Sequence, residues 1–401
     1  MLIFFAACAA DTVATPATER FPYVYTAESG LEEYEAVRFE TETWLPEEDP
    51  EELALYLLKA AAHRKGAPVE SLAHFETMRG AILPLGEGKR LTFAGDTMWI
   101  GENWAHYADP VATLFDGDLN IANLETPTSP NVSSAQGDLG LYAFNAPPEM
   151  LDGLPVDLLQ LNNNHSLDAG DAGLEDTIVE VEARGIATTG VDTHRTLDGV
   201  AFLSYTWGTN VREPSEHQLY IVPFGHLDAE LDLDGVAADL AAARDDAEFV
   251  VVLLHWGFEY EYYPDPHFMV IARELVAAGA DLIVGTGPHV VQPPEWCVVN
   301  QPEVEPGVGT CSVSGPGPAR TAAVLYSLGN FASSMSTAPC EVGILATASL
   351  GGGGVTGLGW RGVANVDGAA GLEVRPLADV LDDADLAAED ARLRAHLGGG
   401  W

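Results

Sequence analysis

From Arg90 onward the chain alternates short apolar runs with amphipathic stretches. "RLTFAGD", "LNIANLE", "VDLLQLNNNH", "FVVVLLHWG", "DLIVGTGPH" and "AVLYSLGNF" are each too short for a helix, rich in branched and aromatic residues, and closed by polar or small ones. That is the pattern of buried strands. Between them lie helices with readable ends. "DAGLEDTIVEVEARG" puts Leu174, Ile178 and Val181 on one face and stops at Gly185; "DPHFMVIARELVAAG" starts with Asp265 as cap and Pro266 at its first position, and stops at Gly279. Strands alternating with helices predict an α/β fold whose sheet is mostly parallel and buried on both faces. Ligands of such sheets bind at the carboxyl ends of the strands, and that is where the polar residues collect here.

The flanks read differently. Residues 1–25 form a leader-like segment and linker, and 26–89 an accessory helical segment. There "PEEDPEELALYLLKAAAHRKG" carries acidic residues at its start, Leu53, Tyr56, Leu57 and Ala60 at helical spacing, and Gly66 as a stop. It carries no recognisable chemistry. The main domain spans 90–350. After about Ala346 the chain turns glycine-rich, "SLGGGGVTGLGWRGVANVDGAAGLEVRPL", alternating in places like an antiparallel hairpin pair. A phosphate cradle would need a helix start after the glycines, and none follows, so these glycines read as turns. "DVLDDADLAAEDARLRAHLG" is an acidic helix, which makes 351–401 a C-terminal hairpin and helix.

Charge narrows the partners. With 61 Asp+Glu against 18 Lys+Arg the formal net charge is -43, and the only lysines are Lys59, Lys65 and Lys89. Such a surface repels nucleic acid and anionic headgroups, stays soluble at high salt and attracts divalent cations. Nucleic acid is excluded as a partner. The N-terminal "MLIFFAACAADTVATPATERFPY" looks like the tail of a secretory signal with a lipoprotein-type cleavage site before Cys8, although a basic n-region is missing and Phe5 stands where Leu is usual. Two readings stand: an exported protein, secreted or held at the cell envelope by a lipid on Cys8, or a plain hydrophobic terminus. Cys297 and Cys311 bracket "VVNQPEVEPGVGT", a Pro/Gly/Val segment that a staple would hold. A Cys297–Cys311 disulfide is expected, in keeping with an oxidising compartment; three thiols in a reducing cytoplasm is the competing reading. Cys340 is left over and expected to be buried.

Asp96, Glu125, Asn164 with His165, His255 and His289 close five separate runs. A lone Asp or His at a strand end is usually a cap or a satisfied polar group. Five together, mixing hard oxygen donors with imidazoles, suit Mn, Fe, Zn or Mg, and such a set can hold one or two divalent ions, two being bridged by one carboxylate.

On these residues the chain resembles a known family. "GDTM" (95–98), "NLE" (123–125), "NNH" (163–165), "HWGFEY" (255–260), "PHVVQPPE" (288–295) and "SLGNF" (327–331) look like the successive motifs of the bacterial capsule-synthesis CapA family, associated with poly-gamma-glutamate and belonging to the calcineurin-like metallophosphoesterase superfamily. The resemblance covers about residues 90–350. It implies a four-layer αββα metallophosphoesterase-like sandwich with mixed sheets, to which this chain adds an N-terminal helical segment and a Gly-rich β plus helical tail. It further implies Asp96 as a first-metal ligand, Glu125 as the bridging carboxylate, Asn164 as the amide ligand of a second metal, and His255 and His289 as the late histidine ligands. His165 then resembles the catalytic imidazole beside the metals, with Asp168 as either its orienting partner or a helix cap. Glu259 and Asn330 fall where substrate would bind, and Glu259 is also available to complete a metal shell.

The chain departs from the pattern at "GTGPHVVQ", where Thr286 and Gly287 stand in place of a further histidine; Met98 cannot replace the histidine of the wider superfamily, a substitution usual for the family it resembles. Trp256, Tyr260, Tyr262 and Tyr263 either pack under a loop or stack on a ligand, with packing expected for most. The leading functional expectation is an exported protein of capsule or exopolymer synthesis with a metal-dependent phosphoesterase-like site. It would act on a phosphoester or an anionic polymer beside membrane-bound capsule components. The alternatives are a non-catalytic metal- or polymer-binding scaffold, and a secreted phosphatase unrelated to capsule.

Overall fold

The structure, a computed structural model, describes residues 65–134, 143–210, 215–220 and 233–398. In chain order come helix α1 (Val69–Arg79), strands β1 (Lys89–Thr97), β2 (Leu119–Leu124) and β3 (Leu158–Gln160), helix α2 (Gly170–Ala183), and strands β4 (Ala187–Thr189), β5 (Arg195–Leu197) and β6 (Val200–Thr206). Helix α3 (Asp234–Asp246), strand β7 (Phe249–His255), helix α4 (Pro266–Ala278) and strands β8 (Leu282–Thr286), β9 (Glu295–Val299), β10 (Cys311–Val313), β11 (Arg320–Leu325) and β12 (Asn330–Ala332) follow. A single turn α5 (Ala338–Glu341), strands β13 (Val342–Gly351), β14 (Gly354–Gly368) and β15 (Gly371–Pro376), and helix α6 (Ala384–Leu397) complete the order.

Among the described residues the strands form two sheets. The first runs β15-β14-β13-β1-β2-β3-β4 with β12 on β1, and the second β10-β9-β11-β8-β7-β6-β5. Both are mixed. Strands β1 to β4 are parallel, as are β6, β7, β8 and β11, whereas β13 to β15, β5 and β9 join antiparallel. Most pairings are parallel, as periodicity predicts, and the antiparallel ones make the sheets mixed, as the resemblance implies; periodicity alone does not divide the strands between two sheets. Parallel neighbours need a crossover, often helical, but the β13-β14-β15 meander needs only tight turns.

Side chains alternate across each strand, and the core divides accordingly. Leu91, Phe93, Ile121 and Leu158 of the first sheet share a cluster with Phe202, Val252 and Ile283 of the second; Ala94, Ala122 and Leu159 join Leu174 and Val181 of α2 in another. Helix α2 packs by β4, while α3 lies on β6 and β7 and α4 on β8, β9 and β10. The layers are therefore α2, first sheet, second sheet, and α3 with α4, the αββα sandwich of the resemblance. Asp265 caps α4 by accepting from the His267 N–H, and Gly279 ends it at φ 134, an angle that only glycine adopts freely. The glycine-rich segment continues the first sheet through β13, and α6 packs on β14 and α1.

Cys297 and Cys311 form a disulfide between neighbouring strands β9 and β10, and Cys340 is a buried free thiol. Helix α1 is fastened through His74. The Gly309 N–H donates to its Nδ1 at 2.9 Å, so Nε2 carries the proton facing Glu295 Oε1 at 2.5 Å. Glu295 is fully buried, takes the Tyr326 hydroxyl on Oε2 at 2.7 Å and pairs with Arg273. Burial works against the charged form, yet Arg273 and His74 hold this carboxyl down at about 2. The helix expected over 46–66, apart from its last residues Lys65 and Gly66, and the Cys8 leader lie outside the described residues. No described helix is long and apolar enough to cross a membrane.

Candidate metal centre

Polar residues stand at the strand ends because both sheets deliver their carboxyl edges to one place. Asp96 lies near the end of β1, Glu125 just past β2, Asn164 past β3, His255 at the end of β7 and His289 past β8. Glycine permits the approach. A Cβ on Gly95 would sit 1.8 Å from the Gly329 carbonyl oxygen, and one on Gly285 2.0 Å from that of Tyr326. The three asparagines after β3 each reach a different target. Asn162 Nδ2 donates to the Ser204 and Tyr220 carbonyls (3.3 and 2.7 Å), tying the first sheet to the second. Asn163 Nδ2 donates to Asn123 Oδ1 and the Leu124 carbonyl (3.1 and 2.8 Å). Asn164 Oδ1 lies 2.9 Å from His255 Nε2.

Glu125 is the hub. It is fully buried, and neither carboxylate oxygen has a hydrogen-bond partner. Donor atoms of Asp96, Glu125 and His289 all fall within 4.8 Å of one another. On the other flank His255 Nε2 lies 3.4 Å from Glu125 Oε1 and 2.9 Å from Asn164 Oδ1. Ligands about 2.1 Å from an ion stand roughly 3.0–3.4 Å from each other, so this second spacing is that of a coordination shell. Carboxylate, amide and imidazole donors together suit a divalent ion of the Mn, Fe, Zn or Mg kind. A buried carboxylate with two orphaned oxygens is otherwise costly.

Electrostatics bear the mark of that crowding. Burial, then the neighbouring Asp96, push the Glu125 carboxyl well above its ordinary range. For Asp96 burial is outweighed by the His289 hydrogen bond and the two imidazole charges, which bring it to about 2. Burial drives the His255 ring down to about 4. His289 is raised well above the usual histidine value, with Glu125, Asp96 and Glu259 overcoming its burial.

A second layer orients these groups. Asn123 Nδ2 donates to Asp96 Oδ1 at 2.8 Å and lies 3.2 Å from His255 Nδ1. Thr286 Oγ1 is 3.0 Å from that same Nδ1, and the Gly287 N–H donates to Asp96 Oδ2 at 3.1 Å. The positions expected to lack a ligand thus aim two others, and Gly287, at φ 108, occupies a conformation that a histidine would adopt only with strain. Asn330 is fully buried, with Oδ1 3.0 Å from His289 Nδ1 and Nδ2 donating to the Cys340 carbonyl. Glu259 Oε1 stands 3.8 Å from His289 Nε2. His165 Nδ1 is 2.6 Å from Asp168 Oδ2, which also accepts the Phe144 N–H, and its Nε2 is 3.9 Å from Glu125 Oε1. Burial opposes the charged ring, but Asp168 and then Glu125 raise its pKa above the ordinary value.

Met98 is buried, with its sulfur beside Ser333 Oγ. Trp256 packs on Phe268 and Tyr326, Tyr263 on Phe75 and His396, and Tyr262 lies under Arg392; Tyr260 has its ring 6.2 Å from that of His289. Packing accounts for three of the four aromatics. Asn123 and Asn163 escaped sequence reasoning although both lie inside quoted motifs, because an amide at a strand end signals nothing until its partners are known.

Residues 90–335 match the family described as Bacterial capsule synthesis protein PGA_cap. Over 206 residues the chain is 28% identical to the PGA biosynthesis protein CapA of Bacillus subtilis (strain 168), covering 47% of this chain and 51% of that one. Over 202 residues it is 27% identical to the Capsule biosynthesis protein CapA of Bacillus anthracis, covering 45% and 47%. The chain spans about half the length of the curated relatives it matches. A crystal structure of a hypothetical protein from Thermus thermophilus aligns at 16% identity and a TM-score of 0.36, over 68% of this chain and 98% of that chain.

Proposed function

Since this chain belongs to the bacterial capsule synthesis protein family PGA_cap, we propose that it serves capsule or exopolymer synthesis of the poly-gamma-glutamate type through a metal-dependent phosphoesterase-like site. The observation that carries this reading is Glu125, whose two buried, unpartnered oxygens lie between two groups of donors. Asp96, Glu125 and His289 would hold one divalent ion, and Glu125, Asn164 and His255 a second. Bound there, the metal supplies Lewis acidity toward an anionic phosphoryl group. The chain's own residues do the rest. Asn123, Thr286 and the Gly287 N–H fix the ligand side chains, and Asn330 fixes His289. His165 holds a proton that Asp168 helps to retain, and offers it from Nε2 to a leaving oxygen as a general acid. Glu259, at the outer side of His289, faces the substrate. With a net charge of -43, the protein would approach a polyglutamate chain only with divalent ions between them. Export is part of this reading, and the Cys297–Cys311 disulfide suits an oxidising compartment.

A second reading has its own support. Thr286 and Gly287 supply no ligand, which leaves three protein donors for the second ion, and a scaffold binding one metal or a polymer end would keep this fold. Metal content decides between them. The purified protein is analysed for metals with and without added Mn, alongside hydrolysis of a chromogenic phosphodiester. About two ions per chain with metal-dependent turnover supports the hydrolase; one or none, without turnover, replaces it with the scaffold.

A further inference from the structure

The proton that His165 offers fixes where a leaving group must lie. Asp168 Oδ2 occupies the ring's Nδ1 at 2.6 Å, so Nε2 is the atom left to reach a substrate. An oxygen protonated there comes within about 3 Å of Nε2, and the group it carries falls beside whatever lines His165. That neighbour is Phe144, whose ring centre stands 4.7 Å from that of the imidazole at a tilt of 53°. The residue is half-buried, so part of it is open to an incoming group.

Main-chain bonds and the following residues hold Phe144 in place. Its N–H donates to Asp168 Oδ2 at 2.8 Å. The buried Asn145 takes the Ser129 N–H on Oδ1 and donates to the Ser129 and Val132 carbonyls, and the Ala146 N–H donates to the Pro127 carbonyl at 2.8 Å. None of these bonds uses the ring. Asp168 balances the imidazolium charge, and among the described residues no Lys or Arg pairs with His165 or Asp168. A negatively charged leaving group therefore meets the Asp168 carboxylate and finds no spare counter-charge, whereas the apolar face of an uncharged ring covers Phe144.

We propose that Phe144 is a substrate-binding residue that forms the leaving-group subsite, and that the substrate is a phosphoester of an uncharged, ring-bearing alcohol rather than of a polyanion. This rests on the phosphoesterase reading of the site and narrows its substrate. Water adds to phosphorus, the bond to the ring-bearing oxygen breaks, and that oxygen departs as the alcohol with the His165 proton, which the water's own proton replaces. Two sources share this chemistry, a pyranose sugar and an aryl alcohol.

The test uses the full chain loaded with Mn, as wild type, Phe144→Leu and Phe144→Tyr. Leucine keeps an apolar side chain and every main-chain bond but removes the flat face; tyrosine keeps the face. Each protein is given methyl phenyl, methyl glucosyl and methyl ethyl phosphate, and methyl phosphate, the common product, is followed by phosphorus NMR. Comparing each substrate with itself across the proteins cancels its intrinsic reactivity. Expected for Phe144→Leu are unchanged metal content, a fall of about tenfold in kcat/KM on a ring-bearing ester, carried by KM, and less than about twofold on the ethyl ester. Phe144→Tyr should behave as wild type. A loss confined to the glucosyl or to the phenyl ester supports the subsite and names its source. Equal falls on all three esters, which would make Phe144 a support for His165, or no change on any, would overturn the assignment. A wild type that takes up metal but turns over none of the three would remove the phosphoesterase reading itself, and this assignment with it.

Discussion

Replacing Glu295 by glutamine removes one charge from a buried cluster and leaves its volume intact. Folding takes this carboxyl from an ordinary 4.5 to about 2. At about 1.36 kcal/mol per unit, the difference favours the folded state by about 3 kcal/mol. A carboxyl depressed on folding binds fewer protons folded than unfolded between those two values. Its contribution is therefore complete above pH 4.5 and fades as the pH falls toward 2. Substitution also breaks the buried Glu295–Arg273 pair from one side, which costs about 3–5 kcal/mol. At pH 7 the variant should lose that amount in urea unfolding followed by tryptophan fluorescence. At pH 3.5, with part of the wild-type contribution gone, the gap should narrow by about 1 kcal/mol. A gap under about 1 kcal/mol at pH 7, or one of equal size at both pH values, would refute the account of Glu295 as the charge that fastens α1 to the sandwich.

Two more perturbations probe the site and the surface. Asp168→Asn removes the partner that raises the His165 pKa, so the alkaline limb of the pH–rate profile should move to lower pH and the rate should fall about tenfold or more; an unmoved limb would show that Asp168 does not tune His165 and serves to hold the Phe144 N–H. Because the chain carries a net charge of -43, raising KCl from low to molar concentration should raise Tm through screening of self-repulsion, and a flat or falling Tm in a calorimetric salt series would contradict that.

Much of the site was legible because its donors interrupt apolar runs. Asp96, His255 and His289 each follow several buried residues, where an ionisable group is out of place unless it has work to do. The carboxyl-edge rule then gathers such residues without knowledge of the topology. What escaped were features fixed by distant partners. Strand β6, "VAFLSYT", ends in Ser, Tyr and Thr and did not stand out; β4, β5 and β10, at three residues each, are too short to show a period. The hairpin pair after Ala346 was recognisable, but its addition to β1 depends on the pairing of Leu91 with Ala348, contacts that no local pattern announces. Thr286 and Gly287 looked like gaps in a ligand set, since a backbone N–H aimed at Asp96 has no signature in residue type.

The division of the donors between two sheets also sets an order of events. Asp96, Glu125 and Asn164 ride on the first sheet, His255 and His289 on the second, so the shell closes only after the halves have docked. On the metal reading proposed above, ion uptake would be a late step of maturation, open only to a chain that has made both sheets. In refolding, the signal of a metal-sensitive dye should lag behind that of the buried tryptophans. A chain cut before β7 would keep Asp96, Glu125 and Asn164 yet lack both His255 and His289, and should fail to retain metal. Loading would then act as a checkpoint on the completeness of the molecule.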